Sequence, residues 1–328
     1  MIPTKPYNLF LVMTLLVACG GNDDEMPATA TPTPANLDAC GNPTTQAVND
    51  KRCQFTVSTL TPSFDGSGGL TVDDNDFIYV ADFGNSTNNP DGEMVSKIDP
   101  NSGEVSVFAT GLDGPSGNTF AKNGNLIQAN IQGQFISEIT PAGEVSTLSS
   151  QGLVSPVGVV FDNDDNLYVC NCGATSIQKI EPDGTSSRFV TSALLSCPNG
   201  LTIDTDGNFY VANFGNGDII KVTPDGSAEL FATLPGGGNS HLVFGNGVIY
   251  ALSRGGNLLY EVTLTGEVSV IAGTGIDGNI DGSGEIASFF IPNGIGLSKD
   301  GTKIYVVSRL VGQGSPSNPV LVRVVKAK

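Results

Sequence analysis

The stretch "DGNFYVANFGNGDIIKVTPDG", residues 206–226, sets two short strands between turns. In its first run Phe209, Val211 and Asn213 point one way while Tyr210, Ala212 and Phe214 point the other, because successive strand side chains alternate faces. Both faces are mostly apolar. Such a strand is covered on both sides and lies between neighbouring sheets. Asp-Gly, Asn-Gly and Pro-Asp-Gly punctuate the stretch, the residues that supply tight turns.

Close variants recur at a spacing of roughly forty residues, the period of propeller blades. They include "GLTVDDNDFIYVADFGN" from Gly69, "NTFAKNGNLIQANIQGQFISEITPAGEVSTLS" from Asn118 and "VVFDNDDNLYVCNCGATSIQKIEPDGTSSRFVT" from Val159, then the Leu201 and Leu242 units. Each full unit carries four short strand signals. The sixth, from Ile295, stops after three, and "CQFTVSTL" (Cys53–Leu60) ahead of the first unit reads like a fourth. The predicted fold is all-β: a six-bladed β-propeller over residues 40–328, with four-stranded antiparallel blades, closed by an N-terminal strand that joins the last blade. Closure removes the open sheet edges that would otherwise invite aggregation.

Composition agrees with strands and turns: 42 Gly and 19 Pro in 328 residues, with no Trp. The formal charge of −18 repels phosphate backbones, so no nucleic-acid partner is expected. Ahead of the repeats, Lys5 precedes the apolar run Leu9–Val17, which is too short to span a bilayer and reads as an export signal. Leu16-Val17-Ala18-Cys19 resembles the bacterial lipobox, which implies a signal peptide over residues 1–19, lipidation at Cys19 and a lipid-anchored protein of the cell envelope. Residues 20–39 are polar and rich in Pro and Thr, a flexible tether. A monomer is expected.

The repeats resemble the NHL family, most clearly in "AGTGIDGNIDGSGEIASFFIPNGIGLSKDGTKIYVV" (Ala272–Val307). Through "PNGLTID" (Pro198–Asp204) they also resemble gluconolactonase-like propellers. The likeness implies two rings of residues around the top of the central channel. The first is Ser116, Val157, Asn199, Ser240 and Asn293. The second is Asp82, Asn130, Asn171, Asn213, Ser253 and Ser308, all of them also common turn formers. Insertions at residues 83–94, 272–292 and 310–319 fall in one sector of the same face, as expected of a binding wall. That sector holds His241, the sole His, and Arg254 and Arg309 at matching positions just after the second ring, where they could clamp a carboxylate or pair with local acids.

Asn199, His241, Arg254, Asn293 and Arg309 are therefore the candidate ligand-binding residues, for a small molecule or a protein partner. Gluconolactonase-like enzymes hold a divalent cation at the channel mouth. Asn199 matches their "PNG" ligand, Ser240 stands where an Asp is expected, and Asp82 or Asn130 would be the substitute ligand. The alternative function is thus a lactonase or esterase assisted by calcium or another divalent cation. A partial calcium-loop pattern at Asp277–Glu285 lacks an acid at its twelfth position, Ser288. Cysteine usage fits an oxidising compartment: Cys40 with Cys53 and Cys172 with Cys197 are the expected disulfides, leaving Cys170 as a buried thiol.

Overall fold

The computed structural model describes residues 40–41, 48–84, 90–312 and 319–328. The expected signal and lipidation site at Cys19, the tether, and the segments 85–89 and 313–318 of two insertions lie outside the described residues. The remainder forms six antiparallel sheets, each containing a four-stranded blade. Their innermost strands are Leu70–Val72, Pro115–Phe120, Pro156–Phe161, Pro198–Ile203, Asn239–Gly245 and Ile295–Leu297. Each contacts the next, and the sixth contacts the first, so the ring is closed.

The turn chemistry read from the sequence is present atom by atom. In blade four, Asp204 Oδ1 accepts the backbone N–H groups of Asp206 and Asn208, and the Tyr210 hydroxyl donates to Asp204 Oδ2. Asp162 does the same for Asp164 and Asn166 in blade three, and Asp73 for Asn75 and Phe77 in blade one. These carboxylates hold the hairpins that open the blades. Strand Phe209–Asn213 is buried throughout. As its alternation predicts, Phe209 and Val211 pack with Tyr168, Cys170 and Ile177 of blade three, whereas Tyr210 and Ala212 pack with Leu242, Ile249 and Ala251 of blade five. The core is therefore a cycle of inter-blade clusters, with no single centre. Full burial of each large apolar side chain in it contributes roughly 2–3 kcal/mol.

Inner strands approach so closely that five of the six carry glycine at the contact. A Cβ on Gly117 would lie 2.4 Å from Val157 O, and one on Gly158 would lie 2.2 Å from Asn199 O. That is the physical reason for Gly in the repeated Pro-x-Gly.

The expected closing strand is confirmed. Phe55–Thr59 pairs antiparallel with Pro319–Ala327, in register from Phe55 opposite Ala327 to Thr59 opposite Arg323. Two features went beyond the sequence reading. Asn49–Asp50 adds in parallel to the outer strand of blade five, so the N-terminal segment bridges blades five and six. The fully buried guanidinium of Arg323 donates to Ser288 O (3.0 Å), Ile280 O (2.9 Å) and Asp281 Oδ1 (2.6 Å). Asp281 in turn accepts from Thr59 N and Oγ1. Partial burial opposes ionisation of Asp281, but the bonds from Thr59 and Arg323 hold its carboxyl below the ordinary range. The calcium-like loop is thus a structural clasp around an arginine.

Both expected disulfides are present, Cys40–Cys53 and Cys172–Cys197, and Cys170 is a buried thiol whose pKa is raised by desolvation. Arg323→Met leaves the buried Ser288 O without its donor and removes one donor each from Ile280 O and Asp281. It is expected to cost about 3 kcal/mol of unfolding free energy, measured by urea denaturation; a loss below about 1 kcal/mol would show that the clasp does not hold the ring.

Candidate ligand-binding site

The channel opens into a cavity of about 320 Å³ where the inner strands begin. Its wall includes Ser116, Val157, Asn199 and Asn293 of the expected first ring, together with Arg254 and Arg309. Blade one supplies Gly68 at the ring position, as its neighbours show: Gly294 approaches Gly68 O just as Gly158 approaches Asn199 O. Ser240 is fully buried, with its hydroxyl on Pro292 O. Asn293 Nδ2 donates to Ser67 O at 2.6 Å, and Asn199 Oδ1 is buried with no hydrogen-bond donor.

The second ring has a repeated structural task. Asn130, Asn171 and Asn213 each use Oδ1 to accept a backbone N–H 17 residues earlier, from Asp113, Val154 and Ser196, at 3.1 Å in all three cases. Their amides donate onward, to Ser137 and nearby carbonyls for Asn130, Gly152 O for Asn171 and Leu194 O for Asn213. Ser308 accepts from Phe290 N, and Ser253 bonds Gly237 O and Gly256 N. Each thus stitches the incoming inter-blade loop to the end of the second strand. Asp82 accepts from Gly84 N; burial first, then the charges of Asp65 and Asp91, raise its pKa against that bond. Of the three residues considered as metal ligands, only Asn199 lines the cavity. Asn130 is buried with its oxygen already committed, so Asn199, Asp82 and Asn130 are not assembled into one site.

The wall is completed by the residue that follows the second ring in each blade: Phe83, Ile131, Cys172, Phe214, Arg254 and Arg309. The sequence marks the two arginines as ligand residues and Cys172 only as half of a disulfide. The signal was available, because each residue sits one place after an Asp, Asn or Ser that closes the strand. The six form two sectors. Blades one to four present two phenylalanines, an isoleucine and the Cys172–Cys197 disulfide, and blades five and six present two guanidinium groups.

Arg254 stacks over Phe214, with Cζ 5.5 Å from the ring centroid. Desolvation, and then the neighbouring charge of Arg309, push its pKa down to about 10; desolvation likewise lowers that of Arg309. Both remain charged at neutral pH. Among the described residues neither guanidinium forms a salt bridge, whereas the half-buried Arg52 holds Asp50 and the buried Arg323 holds Asp281.

His241 is not in the cavity wall. It occupies the place where the other inner strands carry Gly, donates its backbone N–H to Asn293 O, and buries its side chain with Nε2 unpartnered. Desolvation lowers its pKa from 6.5 to about 4.

A half-buried cation with no counter-charge destabilises its surroundings. Arg254→Met is therefore expected to raise the unfolding free energy of the ligand-free protein by about 1 kcal/mol, read from denaturant midpoints; a loss of stability would refute the description of Arg254 as an uncompensated charge. His241 makes a second expectation. Unfolded chains bind its proton below pH 6.5, whereas the native protein resists until about pH 4. Stability present above pH 6.5 is thus lost as pH falls towards 4, by about 3 kcal/mol from this side chain. Comparing wild type with His241→Gln across that window should reveal the difference; parallel profiles would refute it.

Residues 195–221 match the NHL repeat. No curated protein matches the sequence. Among solved structures, an auxiliary nutrient binding protein from Bacteroides ovatus superposes with a TM-score of 0.66 at 17% identity, covering 84% of this chain and 77% of that one. A gluconolactonase from Xanthomonas campestris gives 0.63 at 16%, covering 83% and 89%. A catalytically inactive virginiamycin B lyase from Staphylococcus aureus, crystallised with quinupristin, gives 0.57 at 17%, covering 84% and 100%. At these identities the likeness is one of fold: the chain is a six-bladed β-propeller that carries an NHL repeat and is similar in architecture to gluconolactonases, lyases and nutrient-binding proteins.

Proposed function

We propose that this chain is an exported, lipid-anchored monomer of the bacterial cell envelope that captures a small molecule in the axial cavity. The observation that carries the reading is the convergence of one residue per blade on a single concave wall, including two guanidiniums that form no salt bridge among the described residues. Enclosed, mostly apolar hollows with a few convergent polar groups are the usual form of small-ligand sites, which favours a small molecule over a protein on this surface. The Bacteroides ovatus neighbour, described as a nutrient binding protein, supports binding as a use of this architecture. The apolar run before Cys19 supports export and lipidation, and the two disulfides support an oxidising compartment. The lactonase reading retains only Asn199 at the cavity, which leaves binding as the better supported function.

The test is a thermal-shift and calorimetric screen of organic acids, sugars and lactones against wild type and Val157→Trp, whose indole fills the cavity. Ligands should raise the wild-type melting temperature by mass action and leave the variant unmoved; equal shifts in both would refute the site. In cells, Cys19→Ala should abolish incorporation of labelled fatty acid, and retained label would refute the anchor.

A further inference from the structure

Resting on the reading of the axial cavity as a ligand site, we propose that its ligand is a small organic carboxylate with an apolar body and a separate hydrogen-bond donor. The carboxylate lies between Arg254 and Arg309, and the body lies against Phe83, Ile131 and Phe214.

Three independent observations specify the three parts. The charge comes from the arginines. The chain carries 33 acidic and 15 basic residues, so a guanidinium in the fold readily finds a carboxylate, as Arg52 and Arg323 do. Arg254 and Arg309 are the half-buried guanidiniums that do not, among the described residues. They stand on adjacent blades, near enough for the charge of one to depress proton binding by the other. A planar fork donates two parallel bonds to a carboxylate, and an anion between the forks relieves their mutual repulsion. Because the molecule as a whole is strongly negative, this pair is a local exception that concentrates anionic ligand at one spot.

The apolar body follows from the opposite sector. Phe83, Ile131, Val157, Phe214 and the Cys172–Cys197 bridge line one continuous side of the cavity, and an inorganic anion would leave that surface uncovered. The volume of about 320 Å³ lies at the low end of the roughly 300–1,000 Å³ typical of ligand pockets, a size suited to a metabolite. The donor follows from Asn199. Asn199 lines the wall, and its buried Oδ1 accepts no hydrogen bond among the described residues. A ligand hydroxyl or N–H supplies the missing donor, since a buried acceptor left unpaired is costly.

Calorimetry on the intact exported chain, with a panel of aryl and alkyl carboxylates, tests this. The probes are 3-phenyllactate, 3-phenylpropanoate, octanoate and gluconate, with 3-phenylpropanamide and inorganic phosphate as controls. The apolar carboxylates should bind at least about tenfold more tightly than the amide, phosphate or gluconate, and the hydroxylated member more tightly than its deoxy partner. Arg254→Gln and Arg309→Gln should each remove that tenfold preference, so that carboxylate and amide bind each variant about equally, with the ligand-free melting temperature confirming a folded protein. Equal affinity for carboxylate and amide overturns the proposal, as does tighter binding of phosphate or no binding by any carboxylate. If sugars or lactones bind instead and Val157→Trp abolishes their binding, the cavity reading stands and the carboxylate falls; if Val157→Trp leaves carboxylate binding intact, both fall.

Discussion

The structure depends on one piece of pairing between the two ends of the folded chain. Phe55–Thr59 runs beside Pro319–Ala327, and that ladder fastens the two ends of a ring whose sixth sheet packs on its first. The four-stranded ladders of the other five blades join segments that follow one another in sequence. This one joins residues more than 260 positions apart, as in the Thr61 hydroxyl that accepts Val322 N. Loop closure over such a length is entropically expensive. Arg323, Asp281 and Thr59 concentrate hydrogen bonds at the seam, where a fully buried guanidinium has all but its Nε satisfied by the protein.

A closed ring then fixes what can be near the axis. The inner strands lie in contact, glycine holds the tightest points, and the space that remains is at the end where those strands begin. Stability and recognition are divided between neighbouring residues. Asn213 is buried and bonded to the loop behind it, while Phe214, one residue later, lines the cavity. The same division repeats at Asn130 with Ile131 and at Ser308 with Arg309.

Most of the architecture was legible in the sequence because its determinants are local and repeated. Alternation in Phe209–Ala212 announced a strand buried on both sides, Asp-Gly turns marked its limits, and the truncated last unit pointed to the strand at Cys53–Leu60. The two disulfides, pairings that the expected strand positions permit, are both present. What escaped depends on side chains meeting across the chain. Nothing in the spelling of Asp277–Glu285 shows that Asp281 will meet Arg323 instead of a cation. His241 stood beside an expected ring residue, but its register places it at the glycine contact and outside the cavity wall. The polar ring was visible as a set of turn residues, yet its consequence for the next residue in line was drawn only for the two arginines.

The separation between the stitching residue and the one after it has a consequence for how such a protein diversifies. Six codons, one in each tandem unit, set the chemistry of the mouth, and none of them contributes the buried amide, hydroxyl or carboxylate that holds a loop in place. A lineage built by duplicating one unit therefore inherits five separately adjustable positions around a common opening, the sixth, Cys172, being tied to Cys197. Selection can trade aromatic for cationic character at any of them while the hydrophobic clusters between sheets remain untouched.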